Sequence, residues 1–101
     1  MKRVMVAYTV KPEAVAENEE LVRAVYEELQ QTQPADMRYA TFRLADGVSF
    51  VHINFNAGAA GVLTELSSFK AFQEGIADRC VEGPTVSELR EIGSYRFETG
   101  A

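Results

Sequence analysis

The chain has 101 residues, of which 47% are hydrophobic and 25% are charged, and its formal net charge is -5. This length accommodates one compact domain with one hydrophobic core, so we expect a single domain over residues 1–101. The composition excludes a disordered or fibrous protein. Because the acidic excess repels phosphate groups, we do not expect the chain to bind nucleic acids or anionic membrane surfaces.

Cysteine usage and the first residues indicate a compartment. The only cysteine, Cys80, cannot form a disulfide within the chain. The N-terminal residues are typical of a strand and lack the long apolar stretch of a secretory signal. We therefore expect a cytoplasmic protein.

The first third of the sequence predicts a strand followed by a helix. Residues 3–10 are rich in β-branched and aromatic side chains, and Lys11-Pro12 ends the strand because proline cannot continue a central ladder. From Glu13 to about Thr32 the apolar residues recur at three- and four-residue spacings. This period indicates an amphipathic helix with an acidic, solvated face.

The middle of the sequence predicts a β-hairpin. Residues 37–44 and 48–55 both have strand composition, and Asp46-Gly47 lies between them. This dipeptide is the strongest short signal for a tight hairpin turn. We therefore expect the second and third strands to pair antiparallel.

The rest of the chain predicts a loop, a shorter helix and a last strand. Residues 56–61 are small and form a loop, and apolar spacing indicates a helix from about residue 66 to Arg79. Gly83-Pro84 is typical of a turn. Residues 85–97 then read as a long strand, with a bulge or bend near Gly93.

The order strand, helix, strand, strand, helix, strand predicts a ferredoxin-like α+β sandwich. Two strand-helix-strand units joined by a hairpin close into one four-stranded antiparallel sheet with the helices on one face.

The predicted strands carry apolar residues on both of their sides. The first strand has Val4, Val6, Tyr8 and Val10 on one side and Met5 and Ala7 on the other. The third has an apolar side, Val51, Ile53 and Phe55, and a mixed side, Phe50, His52 and Asn54, which resembles an interface or a pocket wall. Since contiguous apolar surface marks a contact, the pattern predicts a homodimer packed sheet to sheet. The alternative is that central strands are simply apolar on both sides.

Three segments carry a family resemblance: Val10-Lys11-Pro12-Glu13, Phe69-Lys70-Ala71-Phe72 and Gly93-Ser94-Tyr95-Arg96-Phe97. Together with the element order and the length, they resemble small dimeric α/β-barrel proteins, and more narrowly the antibiotic-biosynthesis-monooxygenase-like superfamily. In that superfamily two ferredoxin-like protomers pair through their sheets, and a cleft between sheet and helices can hold a small molecule. Its members include cofactor-independent oxygenases of polyketide-like phenols and haem-degrading enzymes.

The resemblance implies a homodimer and a cofactor-independent, monooxygenase-like activity on a small aromatic or hydrophobic compound. The enzymatic branches commonly use a tryptophan and an asparagine on the first strand. This chain has no tryptophan, and Tyr8 and Thr9 stand where the asparagine is looked for. The alternative is therefore a non-catalytic ligand-binding or assembly protein of the same fold.

His52, the only histidine, is the first candidate for catalysis. Imidazole is the side chain most readily used as a general acid or base near neutral pH. In an enzyme His52 would be the proton shuttle, with Tyr8, Tyr39 and Asn54 orienting the substrate. The alternative is a histidine that only forms hydrogen bonds at an interface.

Other residues carry weaker indications. Tyr8, Tyr39 and Tyr95 lie on three predicted strands and suit either a pocket wall or an interface. Cys80 follows the second helix, whose negative C-terminal end raises a thiol pKa, so we expect an inert thiol. One histidine, one cysteine and scattered carboxylates do not form a metal-ligand pattern, and we expect no metal. Residues 56–61 lack the lysine and spacing of a phosphate-binding loop.

Overall fold

The structure is a computed structural model that describes residues 2–56 and 62–97. Its strands are β1 (Lys2–Val10), β2 (Met37–Arg43), β3 (Ser49–Asn56) and β4 (Cys80–Glu88). Its helices are α1 (Val15–Thr32), α2 (Val62–Glu65), α3 (Ser67–Gln73) and α4 (Ile76–Arg79), and a 3-10 turn (Pro12–Ala14) precedes α1. The sheet order is β2-β3-β1-β4, and every neighbouring pair is antiparallel. The predicted ferredoxin-like α+β fold is confirmed.

Prolines lie close to both ends of helix α1. Pro12 begins the 3-10 turn that precedes the helix, a position where its missing N–H costs nothing. The helix ends where Gln33 adopts φ 44 and donates its N–H to the Leu29 carbonyl at 2.8 Å. Pro34 follows and cannot extend the helix. Val25 on its inner face and Ala14 in the preceding 3-10 turn are buried in the core.

The predicted hairpin is confirmed. Gly47 has φ +81, a conformation that favours glycine, and the strands on either side pair as β2 and β3. The Asp46 carboxylate accepts hydrogen bonds from the backbone N–H groups of Val48 and Ser49 at 2.9 and 2.8 Å. Because these hydrogen bonds join residues that are close in the sequence, the turn could be predicted from the sequence alone.

The predicted second helix is wrong in one respect, because its residues form three short helices. The chain is extended at Leu66, between α2 and α3, and again at Glu74, between α3 and α4. Glu28 of α1 accepts hydrogen bonds from the N–H and hydroxyl of Ser68, at 2.9 and 2.6 Å, and so ties α3 to α1. The loop prediction for residues 57–61 falls outside the described residues.

The prediction for the last strand is also wrong. Strand β4 begins at Cys80 and ends at Glu88, whereas residues 89–97 form no strand. Gly83-Pro84, predicted as a turn, lies inside β4 and has a cis peptide bond. The pairing register with β1 shifts between Ala7 and Thr9, opposite Gly83. The irregularity expected at Gly93 therefore lies at Gly83, where the two strands approach closely.

The helices cover one face of the sheet and leave the other open. Tyr8, Val10, Phe50 and His52 point toward the helices and are buried. The mixed side of β3 is therefore the helix-covered side, and it forms a pocket wall. The opposite side, the open face, carries Met5, Ala7, Val51, Ile53 and Phe42. Among the described residues no helix has the length and apolarity needed to cross a membrane.

Candidate functional site

A cavity of about 450 Å³ lies between the sheet and the segment that contains α2, α3 and α4. Its wall is mostly apolar and includes Phe69 and Phe72 of α3. A few polar side chains converge on it, namely Tyr39, His52, Asn54, Asn56, Thr64 and Gln73. Small-molecule sites are typically apolar cavities of about 300 to 1,000 Å³ with few polar groups. The cavity has the size and chemistry of such a site.

His52 lies at the centre of a hydrogen-bonded cluster on this wall. Its Nε2 lies 2.8 Å from the Tyr8 hydroxyl, and its Nδ1 lies 2.6 Å from the Tyr39 hydroxyl. The strand register explains the geometry, because Val6 and Thr41 are directly opposite His52 while both tyrosines are its diagonal neighbours. Diagonal pairs are within reach of aromatic side chains.

Threonine and tyrosine side chains hold the outer side of the cluster. The Thr41 hydroxyl lies 3.1 Å from His52 Nδ1 and 2.7 Å from the Tyr26 hydroxyl of α1. The Tyr26 and Tyr39 rings stack with centroids 5.4 Å apart. Tyr39 is therefore held between α1 and His52, and it lines the cavity.

Burial fixes the charge state of the cluster. It lowers the pKa of His52 to about 4 and raises the pKa of Tyr8 to about 12. Burial also raises the pKa of Tyr39. At neutral pH the imidazole is therefore neutral and both phenols keep their protons, because charge is unfavourable in an apolar surrounding.

Two buried residues that the sequence analysis missed complete the cluster. Asn18 of α1 is fully buried and donates from Nδ2 to the Tyr8 hydroxyl at 2.9 Å. Arg79 of α4 is 5% exposed and donates from Nε to Asn18 Oδ1 at 3.1 Å. The sequence spacing does indicate that Asn18 is buried, because it lies four residues after Ala14 and seven before Val25, on the buried stripe of the helix. A polar residue on such a stripe needs a partner.

Arg79 brings a positive charge close to the cluster. Its guanidinium donates to the carbonyls of Phe72 and Glu74 at 2.7 and 3.4 Å, and it lies over the Phe72 ring at 5.4 Å. Within residues 2–56 and 62–97 no carboxylate is within ion-pair distance of it. Carbonyl oxygens and the aromatic face therefore compensate its desolvation.

Asn54 offers an acceptor to the cavity. Its Oδ1 is buried, and no donor in the described part of the chain reaches it. Buried amide oxygens are nearly always hydrogen-bonded in native proteins. A hydroxyl or N–H of a ligand in the cavity would satisfy this atom.

The structure brings together most of the candidate residues. Tyr39, His52 and Asn54 line the cavity, and Tyr8 lies deeper, hydrogen-bonded to His52. Tyr95 is 80% exposed and takes no part in the cavity wall.

Cys80 and the acidic residues form no further site. Cys80 is half-buried and does not line the cavity, and burial raises the pKa of its thiol while the Arg79 charge partly offsets this rise. Among the described residues no group of three or more histidine, cysteine or carboxylate side chains is placed to hold a metal ion.

The fold has clear counterparts among solved structures. A crystal structure of an antibiotic biosynthesis monooxygenase superposes with a TM-score of 0.76 at 22% identity, covering 92% of this chain and all of the other. The protein has the antibiotic-biosynthesis-monooxygenase-like fold. The fold resemblance predicted from the sequence is thus confirmed.

Two further structures share this antibiotic-biosynthesis-monooxygenase-like fold. A Nitrosomonas europaea protein, provisionally assigned as an antibiotic biosynthesis monooxygenase, has a TM-score of 0.73 at 19% identity and covers 90% of this chain and 89% of its own. A Mycobacterium tuberculosis protein has a TM-score of 0.73 at 15% identity and covers 92% and 96%. No protein-family model and no curated protein sequence matches the chain. At these identities the likeness shows the fold and transfers no residue roles.

Proposed function

We propose that the protein is a cofactor-independent, monooxygenase-like enzyme of the cytoplasm that acts on a small aromatic or hydrophobic compound. The observation that carries this proposal is the apolar cavity of about 450 Å³ with a neutral, buried His52 on its wall. Perturbed titratable groups in an apolar cavity are the usual mark of an active site. The fold supports the proposal, since one structure that shares it is that of an antibiotic biosynthesis monooxygenase.

The proposed reaction needs no electron donor besides the substrate. A methylene between two aromatic rings loses both of its protons and is oxidised by molecular oxygen, so that the diaryl methylene and dioxygen give a diaryl ketone and water. One oxygen atom enters the product and the other leaves as water. The substrate supplies all of the electrons, and the protein has to bind the substrate, exclude water and move protons.

Three polar residues of the cavity and two aromatic ones have roles in this proposal. His52 is the proton shuttle, and its Nδ1 lies 2.6 Å from the hydroxyl of Tyr39, which also lines the cavity. Asn54 Oδ1, which has no donor within the described chain, accepts a hydrogen bond from a substrate hydroxyl. Phe69 and Phe72 pack against the aromatic body of the substrate.

The test is oxygen uptake with an anthrone, which has an acidic methylene between aromatic rings. We expect the wild-type protein to consume dioxygen and form the quinone. We expect His52→Gln to lower kcat by about 100-fold or more with a much smaller change in KM, because glutamine keeps the size and some hydrogen bonding without acid-base function. Tyr95→Phe, which alters a tyrosine outside the cavity, should leave both constants unchanged.

A full rate in His52→Gln would remove His52 from the mechanism. Absence of oxygen uptake by the wild type, when calorimetry shows that the anthrone binds, would favour the non-catalytic alternative. That alternative has an observation in its favour: both ring nitrogens of His52 are already hydrogen-bonded to protein hydroxyls. In a binding protein, His52→Gln would weaken ligand affinity and there would be no chemical step to slow.

A further inference from the structure

We propose that Arg79 and Asn18 are positioning residues that fix the direction of the hydrogen bonds through Tyr8 and His52. In this arrangement His52 carries its proton on Nδ1 and donates toward Tyr39 and the cavity. The direction is a property of the ligand-free protein, and only its consequence for catalysis rests on the proposed function.

Arg79 sets the orientation of the Asn18 amide. A guanidinium group has N–H donors and no acceptor, so the atom of Asn18 that lies 3.1 Å from Arg79 Nε must be the carbonyl oxygen Oδ1. Arg79 is itself held by the Phe72 carbonyl at 2.7 Å. The amide nitrogen Nδ2 therefore faces Tyr8 and donates to its hydroxyl oxygen at 2.9 Å.

Tyr8 passes this direction on to His52. Since its oxygen already accepts from Asn18, its own hydrogen needs an acceptor. In the described chain the other group bonded to this hydroxyl is His52 Nε2, at 2.8 Å. Tyr8 is 3% exposed, and buried hydroxyl groups are almost always paired. Nε2 is therefore an acceptor without a hydrogen, and the neutral ring carries its proton on Nδ1.

Nδ1–H donates to the Tyr39 oxygen at 2.6 Å, with the Thr41 oxygen as a more distant partner at 3.1 Å. Tyr39 lines the cavity, so the direction set by Arg79 reaches the wall that a ligand touches. Every donor from Asn18 to His52 points toward the cavity. Such a chain stabilises negative charge that develops on a ligand oxygen, and His52 accepts a proton from the ligand side only when the hydrogen bond between Nδ1 and Tyr39 reverses its direction.

The first measurement is the tautomer of His52 in the ligand-free protein. Because the chain has one histidine, 15N-labelled protein gives one imidazole spin system. Long-range 1H-15N correlation spectra distinguish a protonated from an unprotonated ring nitrogen. We expect Nδ1 to be protonated and Nε2 to be bare near neutral pH. A protonated Nε2 in the wild type would overturn the proposal.

The second measurement uses Asn18→Asp to reverse the chain. The substitution replaces the Nδ2 donor by a carboxylate oxygen of nearly the same shape, which Arg79 can still hold. The Tyr8 hydroxyl then donates to this carboxylate, and its oxygen becomes an acceptor for His52. We expect the proton of His52 to move from Nδ1 to Nε2, a change that a merely structural role of Asn18 would not produce.

Tyr8→Phe supplies the matched control, because it cuts the link between Asn18 and His52. In the Tyr8→Phe background, Asn18→Asp should leave the tautomer unchanged. If folded Asn18→Asp protein, as judged by its amide spectrum, keeps the proton on Nδ1, the proposal is wrong. If that variant does not fold, the wild-type spectrum still decides the direction. Since no substrate is used, a failure to oxidise anthrone leaves this result standing.

Discussion

Burial and hydrogen bonding together determine the charge state of the His52 imidazole. It is 5% exposed, and both ring nitrogens are hydrogen-bonded to hydroxyl groups. Pairing keeps the neutral imidazole stable in an apolar surrounding, whereas no carboxylate in residues 2–56 and 62–97 forms an ion pair that would stabilise a charged imidazolium. The same residue therefore serves as a polar group of the core and as a proton-carrying group of the cavity.

This burial predicts a pH dependence of stability. The pKa of His52 is lowered from 6.5 to about 4 in the folded protein, so the unfolded chain binds more protons between these values. Stability is fully present above pH 6.5 and falls as the pH is lowered toward 4, by about 1.4 kcal/mol per pH unit at most. Urea denaturation between pH 7 and pH 4 measures this slope.

His52→Gln is the control for the pH dependence, because glutamine does not titrate. The difference between the two slopes isolates the histidine. The hydrogen bonds from Ser68 and Ser49 lower the pKa of Glu28 and Asp46, and these carboxylates lose their stabilising effect at lower pH in both proteins. Equal slopes for wild type and variant between pH 6.5 and 4.5 would show that His52 is protonated in the folded state.

Because the Asn54 oxygen is unpaired, we expect its removal to lower ligand affinity without lowering the stability of the ligand-free protein. An unsatisfied buried acceptor costs about 1 to 3 kcal/mol, so Asn54→Leu should leave the ligand-free protein as stable or more stable. Ligand affinity should fall by about tenfold, since a hydrogen bond of about 1.4 kcal/mol is lost. Thermal denaturation and calorimetry measure the two effects.

Asn56→Leu is the control for added apolar volume, because Asn56 lies two residues along the same cavity wall. An equal loss of affinity in Asn56→Leu would contradict the role of Asn54.

At the scale of the elements, the close approach of β4 to its neighbour β1 depends on one glycine. Gly83 has φ +81, and a Cβ atom at this position would lie 2.8 Å from the Ala7 carbonyl oxygen. Gly47 has the same φ but has nothing within 4 Å of a Cβ atom. A substitution at Gly47 therefore measures the cost of backbone strain alone, whereas one at Gly83 measures backbone strain together with a steric clash.

We expect Gly47→Ala to destabilise the protein by about 1 kcal/mol and Gly83→Ala by about 3 kcal/mol, since only the second adds a clash with fixed backbone. Gly47→Val should cost on the order of 1 to 3 kcal/mol because a β-branched residue tolerates positive φ poorly. Gly93→Ala, in open space, should change stability by less than about 0.5 kcal/mol. Equal midpoints for Gly83→Ala and Gly93→Ala in urea would show that the strands can separate at Gly83 without cost.

The same comparison shows which elements the sequence could predict. The hairpin was predictable because its signal, Asp46-Gly47, and its hydrogen bonds are local. Strand β4 was not, because its boundaries depend on β1, at the other end of the chain, and on the close approach at Gly83. The site followed the same rule: strand alternation placed His52 and Asn54 on one side of β3, whereas Asn18 and Arg79 come from two helices whose packing no local pattern specifies.

At the scale of the whole molecule, the open face of the sheet carries apolar side chains that no helix of the described chain covers. Met5, Ala7, Val51 and Ile53 form its apolar centre, and Phe42 beside them is 53% exposed. A contiguous apolar patch of this kind marks a contact surface, and two-fold dimers are the commonest assemblies. We propose that a second copy of the chain covers it, sheet against sheet.

The prediction is a dimer in solution at micromolar concentration, measured by multi-angle light scattering. Val51→Asp should give a monomer, because the interface would remove the new charge from water, which costs several kcal/mol. Ala24→Asp, on the exposed side of α1, adds the same charge on the other side of the sheet, and this variant should remain a dimer.

Since each protomer carries a formal charge of -5, added salt should strengthen the dimer by screening the repulsion between protomers. An interface held by ion pairs would instead be weakened by salt. A wild-type protein that is monomeric across this concentration range, or a dimer that Val51→Asp leaves intact, would show that the open face is not the contact.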